Sequence, residues 1–407
     1  MVDLLVIADD LTGASETGAQ FAGAGLPTVV SIDPEPTDDA ARVRVVDTES
    51  RHVSPEEAAR RVEYACRRAR QAGVQRFYKK ADSTLRGNVG AELAAMMRAT
   101  GARVLPFIPA YPAAGRTTRG GCQFVHGEPL ERTSLAHDPL SPIDSGSIAE
   151  IVARQSAVET VVVAPGRMPE AGGEDLRIWA FDAESEDDLD RIAAGLQERG
   201  LLSCCAGAAG FAECVARRLG GGREPAPTAG LRGPLLFVNG SLHETALEQV
   251  RRGIESDVEA FRLEPEAVSA GAGPGAPAPG VVEEAAEALR AGRDVLLCTV
   301  TGPGEDERYV DGPPRAVAAA LGALAAGVVR RSGALGALAV FGGETAISVL
   351  RALGRTSFRP RRRLWPGVIE CSLSLDGREV GFITKCGGFG PEDLVLRLRG
   401  ISAGEET

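Results

Sequence analysis

The chain has 407 residues, 44% hydrophobic and 25% charged, with a formal net charge of −11 and a pI near 5.1. That acidity argues against nucleic acid and anionic membranes as partners, and the length points to two domains. The eight cysteines contain no C-x-x-C pair, and Cys204 and Cys205 are adjacent, which suits reduced thiols better than a disulfide or zinc framework.

Residues 2–8, VDLLVIA, predict a buried strand. It is cut short by Asp9 and Asp10, so it does not read as a secretory leader, and the apolar run Val317 to Val329 falls far short of a membrane span. The expectation is a soluble, cytoplasmic protein. LTGASETGAQFAGAG continues as a helix, with one of the two aspartates capping it and the other serving a ligand. Strands follow at Leu26 to Ile32 and in VRVVDTESR, which ends in Arg51, placed to grip a carboxylate through paired hydrogen bonds. SPEEAARRVEYACRRARQAG predicts a helix with Ser54 as its cap and Pro55 in the first turn.

Next comes the most informative stretch, KKADSTLRGNVGAEL. A strand over Val74 to Tyr78 delivers Lys79, Lys80, Asp82, Ser83, Thr84 and Arg86, and a helix begins near Asn88. Such a strand-to-helix turn is where a doubly wound α/β protein binds its ligand. Of 45 Lys plus Arg residues only Lys79, Lys80 and Lys385 are lysine, leaving 42 arginines. Where composition favours arginine this strongly, each lysine marks a position that needs a compact charge on a flexible stem. ARVLPFIPA predicts a further strand, and YPAAGRTTRGGCQFVHGEPL a loop whose Arg116, Thr117 and Thr118 are candidates for an anion. ETVVVAP and LRIWAFDAES add strands, and GLLSCCAGAAGFAEC runs from strand through a small-residue turn into helix.

Gly220 to Gly233 is rich in glycine and proline, so the expected organisation is a domain at 1–222, a linker at 223–233 and a domain at 234–407. The second half restarts with LLFVNGSLHETALEQV, a strand, a turn at Asn239-Gly240-Ser241 and a helix. Ser269 to Gly280 is a low-complexity loop; its glycines fit G-x-G-x-x-A in form, but Pro274 and Pro277 and the lack of a framing strand and helix exclude a dinucleotide fingerprint. A helix from Val281 to Ala291, the strand DVLLCTVTGP and an alanine-rich helix from Val317 to Arg331 follow. ALAVF then leads into Gly342-Gly343-Glu344-Thr345 and a helix. A hairpin about Asp376-Gly377 empties into Lys385-Cys386-Gly387-Gly388, and a closing helix completes the chain.

Three turns of the second half thus pass from strand through glycine and small polar residues into helix or loop, and backbone N–H groups at such turns favour phosphate. Neither the P-loop motif nor the protein-kinase signatures are present. The first half supplies the complement, carboxylates, lysines and arginines at strand ends, suited to a small hydroxylated acid. Together they point to phosphoryl transfer.

The blocks IADDLTGA, DTESR, KKADSTLRGN, PAAGRTTRGG, VNGSLHET, FGGETA and WPGVIECSL…ITKCGGFG occur in the order of the four-carbon acid sugar kinase family, which the chain resembles along nearly its whole length. The resemblance implies two α/β domains with largely parallel sheets, the first Rossmann-like, and a site in the cleft between them. It implies transfer of phosphate from ATP, with Mg²⁺, to the terminal hydroxyl of a four-carbon sugar acid. Asp9, Asp10, Arg51, Lys79, Lys80, Ala81, Asp82, Ser83 and Arg86 would bind the acid, with Asp82, Asp9 and Lys385 catalytic and the choice of base between the aspartates open. Ser241, Gly342, Gly343, Glu344, Thr345, Gly387 and Gly388 would bind ATP. KADSTLRGN and KCGGFG are similar to the threonate and erythronate kinases rather than to the 3-oxo-tetronate branch. Ala206-Gly207-Ala208-Ala209-Gly210 departs from the family's Gly-Ser-Ala-Gly. A homodimer falls within expectation, and the alternative from another class is a sugar-acid sensor without catalysis.

Overall fold

A computed structural model of the protein describes residues 2–35, 40–137, 141–170, 175–220, 231–263, 279–299 and 314–404. Residues 223–230 of the expected linker, 269–278 of the low-complexity loop and the end of the DVLLCTVTGP segment lie outside these. The chain divides into two compact units, Met1–Ala226 and Pro227–Thr407.

In the first unit eight strands form one parallel sheet: β1 (Leu4–Ala8), β2 (Thr28–Ser31), β3 (Val43–Asp47), β4 (Arg76–Lys80), β5 (Val104–Ile108), β9 (Glu159–Val163), β10 (Arg177–Phe181) and β11 (Cys204–Gly207). Their order is β2-β3-β1-β4-β11-β5-β10-β9. Helices α1 (Leu11–Gly23), α2 (Pro55–Gln71), α3 (Val89–Thr100), α4 (Ile148–Ala153), α5 (Glu186–Glu198) and α6 (Ala209–Leu219) complete the layers. Helices on both faces explain why β1 and β3 read as unbroken apolar runs, since every residue of these strands is buried. The chain leaves β1 for β2 on one side and later returns to β4 on the other. The carboxyl ends of β1, β3 and β4 therefore meet where the strand order reverses, the place such sheets offer to ligands.

Two expectations need correction here. Both lysines of the KKADS stretch lie inside β4 rather than beyond it. The stretch read as a loop after β5 folds as a small antiparallel sheet of β6 (Arg116–Arg119), β7 (Cys122–Val125) and β8 (Glu128–Pro129). Its turn uses Gly120 and Gly121 at φ 59 and 73, and its inward pair is polar, Thr118 donating 2.7 Å to Gln123 Oε1. A polar inward pair leaves no apolar alternation to read, and Thr118 is fully buried in it rather than open to an anion.

The second unit orders its strands β13-β14-β12-β15-β18-β17-β16, where β12 is Leu235–Asn239, β13 Glu259–Arg262, β14 Val295–Cys298, β15 Ala337–Phe341, β16 Ser357–Trp365, β17 Val368–Leu375 and β18 Arg378–Lys385. Pairing is parallel as far as β18 and antiparallel for β17 and β16. Helices α7 (Glu244–Glu255), α8 (Pro279–Arg290), α9 (Pro314–Ser332), α10 (Gly343–Ala352) and α11 (Leu394–Ala403) accompany it. The β17–β18 turn uses Asp376 and Gly377 at φ 48 and 79, as the Asp-Gly pair predicts. Sequence reading missed β16, because Pro360 and the arginines at 361–363 look like loop; two register shifts in its pairing accommodate them. Among the described residues no helix is long and apolar enough to cross a membrane.

One glycine sets the spacing of the first sheet. A Cβ on Gly207 would lie 2.3 Å from the Ile108 carbonyl oxygen and 3.0 Å from the Tyr78 hydroxyl. Gly207→Ala is expected to cost about 1–3 kcal/mol through overpacking. Denaturant unfolding tests this, and unchanged stability would show that β5 and β11 move apart freely.

Candidate active site

The first half-site is built on the ends of β1, β3 and β4. Arg51 donates from Nε to Asp9 Oδ2 at 2.7 Å and from Nη2 to Asp9 Oδ1 at 3.1 Å, and from Nη1 to Asp10 Oδ2 at 3.0 Å. Asp10 also caps α1, accepting the Gly13 N–H at 3.0 Å. The expected division of labour between the aspartates is thus partial, since both hold Arg51 and only Asp10 caps. Burial opposes ionisation of Asp9, but Arg51, Lys79 and Lys80 outweigh it and lower its carboxyl to about 2. Most of the Arg51 fork is therefore occupied by these aspartates.

Asp82 is fixed by Arg86, whose Nε donates at 2.7 Å, and by the Thr84 hydroxyl. Burial again works against the charge, yet Arg86, Arg51 and Lys80 hold this carboxyl well below the usual range. Such a carboxylate is a weak base and a good acceptor for a hydroxyl hydrogen bond. Asp47, at the end of β3, goes the other way: burial, followed by Asp10, Glu49 and Asp9, pushes its carboxyl up, and Oδ2 has no hydrogen-bond partner among the described residues. Non-glycine residues with positive φ lie in both loops, Glu49 at 46 and Leu85 at 59, a strain that concentrates at functional sites.

The two lysines of β4 alternate faces and have opposite fates. Lys79 Nζ pairs with Glu92 of α3 at 2.9 Å and donates to the Lys80 carbonyl at 2.7 Å, and Ser50 donates to the same Glu92. This pair is buried, with the Lys79 ammonium held by Glu92 inside the fold. Lys80 is also buried, but its ammonium makes no hydrogen bond or ion pair among the described residues. A Cβ on Gly13 would lie 2.9 Å from Lys80 Nζ, so this charge is held against the start of α1 beside Asp10. The Ala81 N–H is spent on the Gly207 carbonyl at 2.9 Å, and the Ser83 carbonyl accepts from Gln123 at 2.7 Å. A cavity of about 310 Å³ opens beside Arg51, Leu85 and Gly87, walled by His52, Asn88 and Ser141 to Ser145.

The second half-site gathers all three expected turns, because β12, β15 and β18 are neighbours, with Asn239 opposite Phe341 and Phe341 opposite Lys385. Glycine is required where the turns meet. A Cβ on Gly240 would lie 2.1 Å from Thr345 Oγ1, and one on Gly387 would lie 2.5 Å from Ser241 Oγ. Gly342 takes φ 106 and donates its N–H to the Lys385 carbonyl at 2.9 Å. Glu344 is exposed in the first turn of α10. Lys385 is 1% exposed, lies over the Phe341 ring at 4.8 Å and donates 2.8 Å to the Gly387 carbonyl. Burial lowers its ammonium to about 8. Sequence reading missed Gln249 of α7, which donates to the Phe389 and Pro391 carbonyls at 3.1 and 2.8 Å and so holds the loop after Lys385. A lone glutamine inside a helix carries no signal for such a long-range contact. Among the described residues no group of three or more His, Cys, Asp or Glu is placed to share a metal ion.

Residues 4–215 match the family described as a sugar-binding N-terminal domain, and residues 236–395 match a nucleotide-binding C-terminal domain. A sugar-binding and a nucleotide-binding domain in one chain, together with curated relatives that are threonate and erythronate kinases, define a sugar-acid kinase of the two-domain class. The chain is 34% identical to a D-threonate kinase of Cupriavidus necator over 95% of each chain, and 36% identical to a D-erythronate kinase of Heliobacterium modesticaldum over 62% of this chain and 60% of that one. It belongs to the four-carbon acid sugar kinase family. A crystal structure of a Haemophilus influenzae protein covers 98% of this chain and 100% of its own, with TM-score 0.75 at 21% identity, a likeness of fold. These matches lend no support to the non-catalytic sensor.

The contrast between the β4 lysines is testable. Lys79→Met leaves Glu92 buried without its partner and is expected to cost about 3–5 kcal/mol in denaturant unfolding. Lys80→Met is expected to leave stability nearly unchanged and to weaken sugar-acid binding by about 1.5–3 kcal/mol, the scale of a hydrogen bond to a charge. Loss of acid binding without loss of stability in Lys79→Met would reverse the assignment.

Proposed function

We propose that the protein transfers the γ-phosphoryl group of ATP to the terminal hydroxyl of a four-carbon sugar acid of the threonate or erythronate type. The observation that carries this reading is the meeting of three glycine turns above the buried ammonium of Lys385, in a chain whose other unit holds an unpaired Lys80 at its strand ends. In the first unit Lys80, buried at the end of β4 and without a direct partner among the described residues, would take the acid's carboxylate. Asp82 would accept a hydrogen bond from a substrate hydroxyl and orient it. With Asp9 and Asp82 both held at low pKa, neither takes the proton early, which suits a loose transition state in which it leaves late.

The residues of the second unit fit a polyphosphate, since glycine at 240 and 387 lets the turns after β12, β15 and β18 pack directly against one another and gathers their small polar residues at neighbouring strand ends. Ser241, Gly342, Gly343, Thr345, Gly387, Gly388 and Lys385 would hold ATP, with Glu344 exposed at the edge. Bound ATP with Mg²⁺ supplies the phosphoryl group and neutralises its charge. Release of ADP from Mg-ATP over D- and L-threonate and D- and L-erythronate tests the reading; turnover of none of the four would sink it.

Lys385 adds a pH signature. Its ammonium titrates near 8, so it is charged below that pH and progressively neutral above it. The KM for ATP is therefore expected to rise as pH increases through about 8. Lys385→Arg keeps its charge across this range and should flatten the rise while lowering kcat, because the longer fork does not fit the space between Phe341 and Gly387. A wild-type profile flat from pH 7 to 9 would remove Lys385 from the phosphate site.

A further inference from the structure

His243 lies two residues beyond Ser241 and is exposed at the N-cap of α7. Its Nδ1 accepts the backbone N–H of Thr245 at 3.2 Å. A backbone amide can only donate, so Nδ1 is the unprotonated nitrogen and the ring proton resides on Nε2. The capping bond therefore determines the tautomer, and with it the chemical character of the other end of the ring.

That other end reaches the glycine loop after β18. A Cβ on Gly388 would lie 2.8 Å from His243 Nε2, 3.0 Å from Cε1 and 3.2 Å from Cδ2. A group in front of the N–H, in the plane of the ring, would lie much farther from the two carbons than from the nitrogen. The near-equal distances put Gly388 over the face of the ring, leaving the in-plane Nε2–H clear of it. No hydrogen bond from Nε2 occurs among the described residues, and any residue larger than glycine at 388 would push the ring away. Ser241 Oγ accepts the His243 N–H at 3.3 Å, which ties the histidine to the turn already assigned to the nucleotide.

We propose that His243 is a further nucleotide-binding residue: a neutral imidazole that donates one hydrogen bond from Nε2 to a phosphate oxygen. This rests on the kinase reading above. It does not depend on the helix terminus alone, because the donor belongs to a side chain whose tautomer and position are set by two separate contacts.

Cap and donor can be separated. Serine caps helices well but cannot reach the loop, whereas alanine does neither. His243→Ser is expected to keep the wild-type melting temperature and to bind Mg-ADP about tenfold more weakly by calorimetry, the loss of one hydrogen bond to a charged group. His243→Ala is expected to lose the same affinity and some stability as well, and KM for the sugar acid should change in neither. Nitrogen-15 spectra of the wild-type imidazole should show the proton on Nε2 at neutral pH, with that resonance moving on addition of Mg-ADP. Wild-type affinity for Mg-ADP in His243→Ser would overturn the assignment alone. A wild-type protein that binds no Mg-ADP would overturn both the assignment and the kinase reading beneath it.

Discussion

The strand-end cluster of the first unit depends on the bond between Arg51 and the two aspartates that follow β1. Asp9 is 3% exposed, and a carboxylate so far from water survives only beside an opposite charge. The same fork brings the loop after β3 against β1, where the Ser50 and Arg51 N–H groups also bond the Asp9 carbonyl at 3.0 and 3.2 Å. Gly87 is drawn into the arrangement, since a Cβ there would lie 3.3 Å from Arg51 Cγ and 3.4 Å from Asp9 Oδ2. One guanidinium thus registers three loops.

The charges around this fork nearly cancel. Asp9, Asp10, Asp82 and Glu92 face Arg51, Lys79, Lys80 and Arg86, in pairs that leave Lys80 alone without a direct partner. Asp47 joins them with its carboxyl pushed up by burial and by its acidic neighbours, so it adds little negative charge to the cluster. An anion entering such a site would meet one cation that has no direct partner among the described residues, in a cluster whose formal charges cancel. This gives direction to its binding, where a broad basic patch in an acidic protein would give only attraction.

The strand-end turns of the second unit, in the nucleotide-binding domain, are built by different means. A polyphosphate carries several charges spread over many oxygens, and backbone N–H groups at closely packed turns can meet them without long side chains. Glycine is needed because the turns touch one another: Gly240 against Thr345, Gly387 against Ser241, Gly388 against His243. Lys385, buried at the end of β18, is held down by the Gly387 carbonyl and the Phe341 ring. Gln249, from below, keeps the loop at that height.

Local pattern by itself determined most of the strands and helices and the Asp376-Gly377 hairpin, because period, caps and turn chemistry act over a few neighbours. It also singled out the three lysines, since compositional rarity is a property of the chain and not of its fold. Their roles were not legible. Lys79 and Lys80 are adjacent and chemically identical, yet one is consumed by Glu92 and the other is left unpaired, a difference made by which face of β4 meets α3. Arg51 looked like a free clamp until the packing of β1 beside β3 set two aspartates against it. The polar sheet β6–β7–β8 and the arginine-rich β16 were likewise invisible, because they pair with strands next to them in sequence yet carry no apolar alternation of their own. Sequence named the charges, and only tertiary structure could pair them, because a charge is satisfied by whatever lies within a few ångströms regardless of its place along the chain.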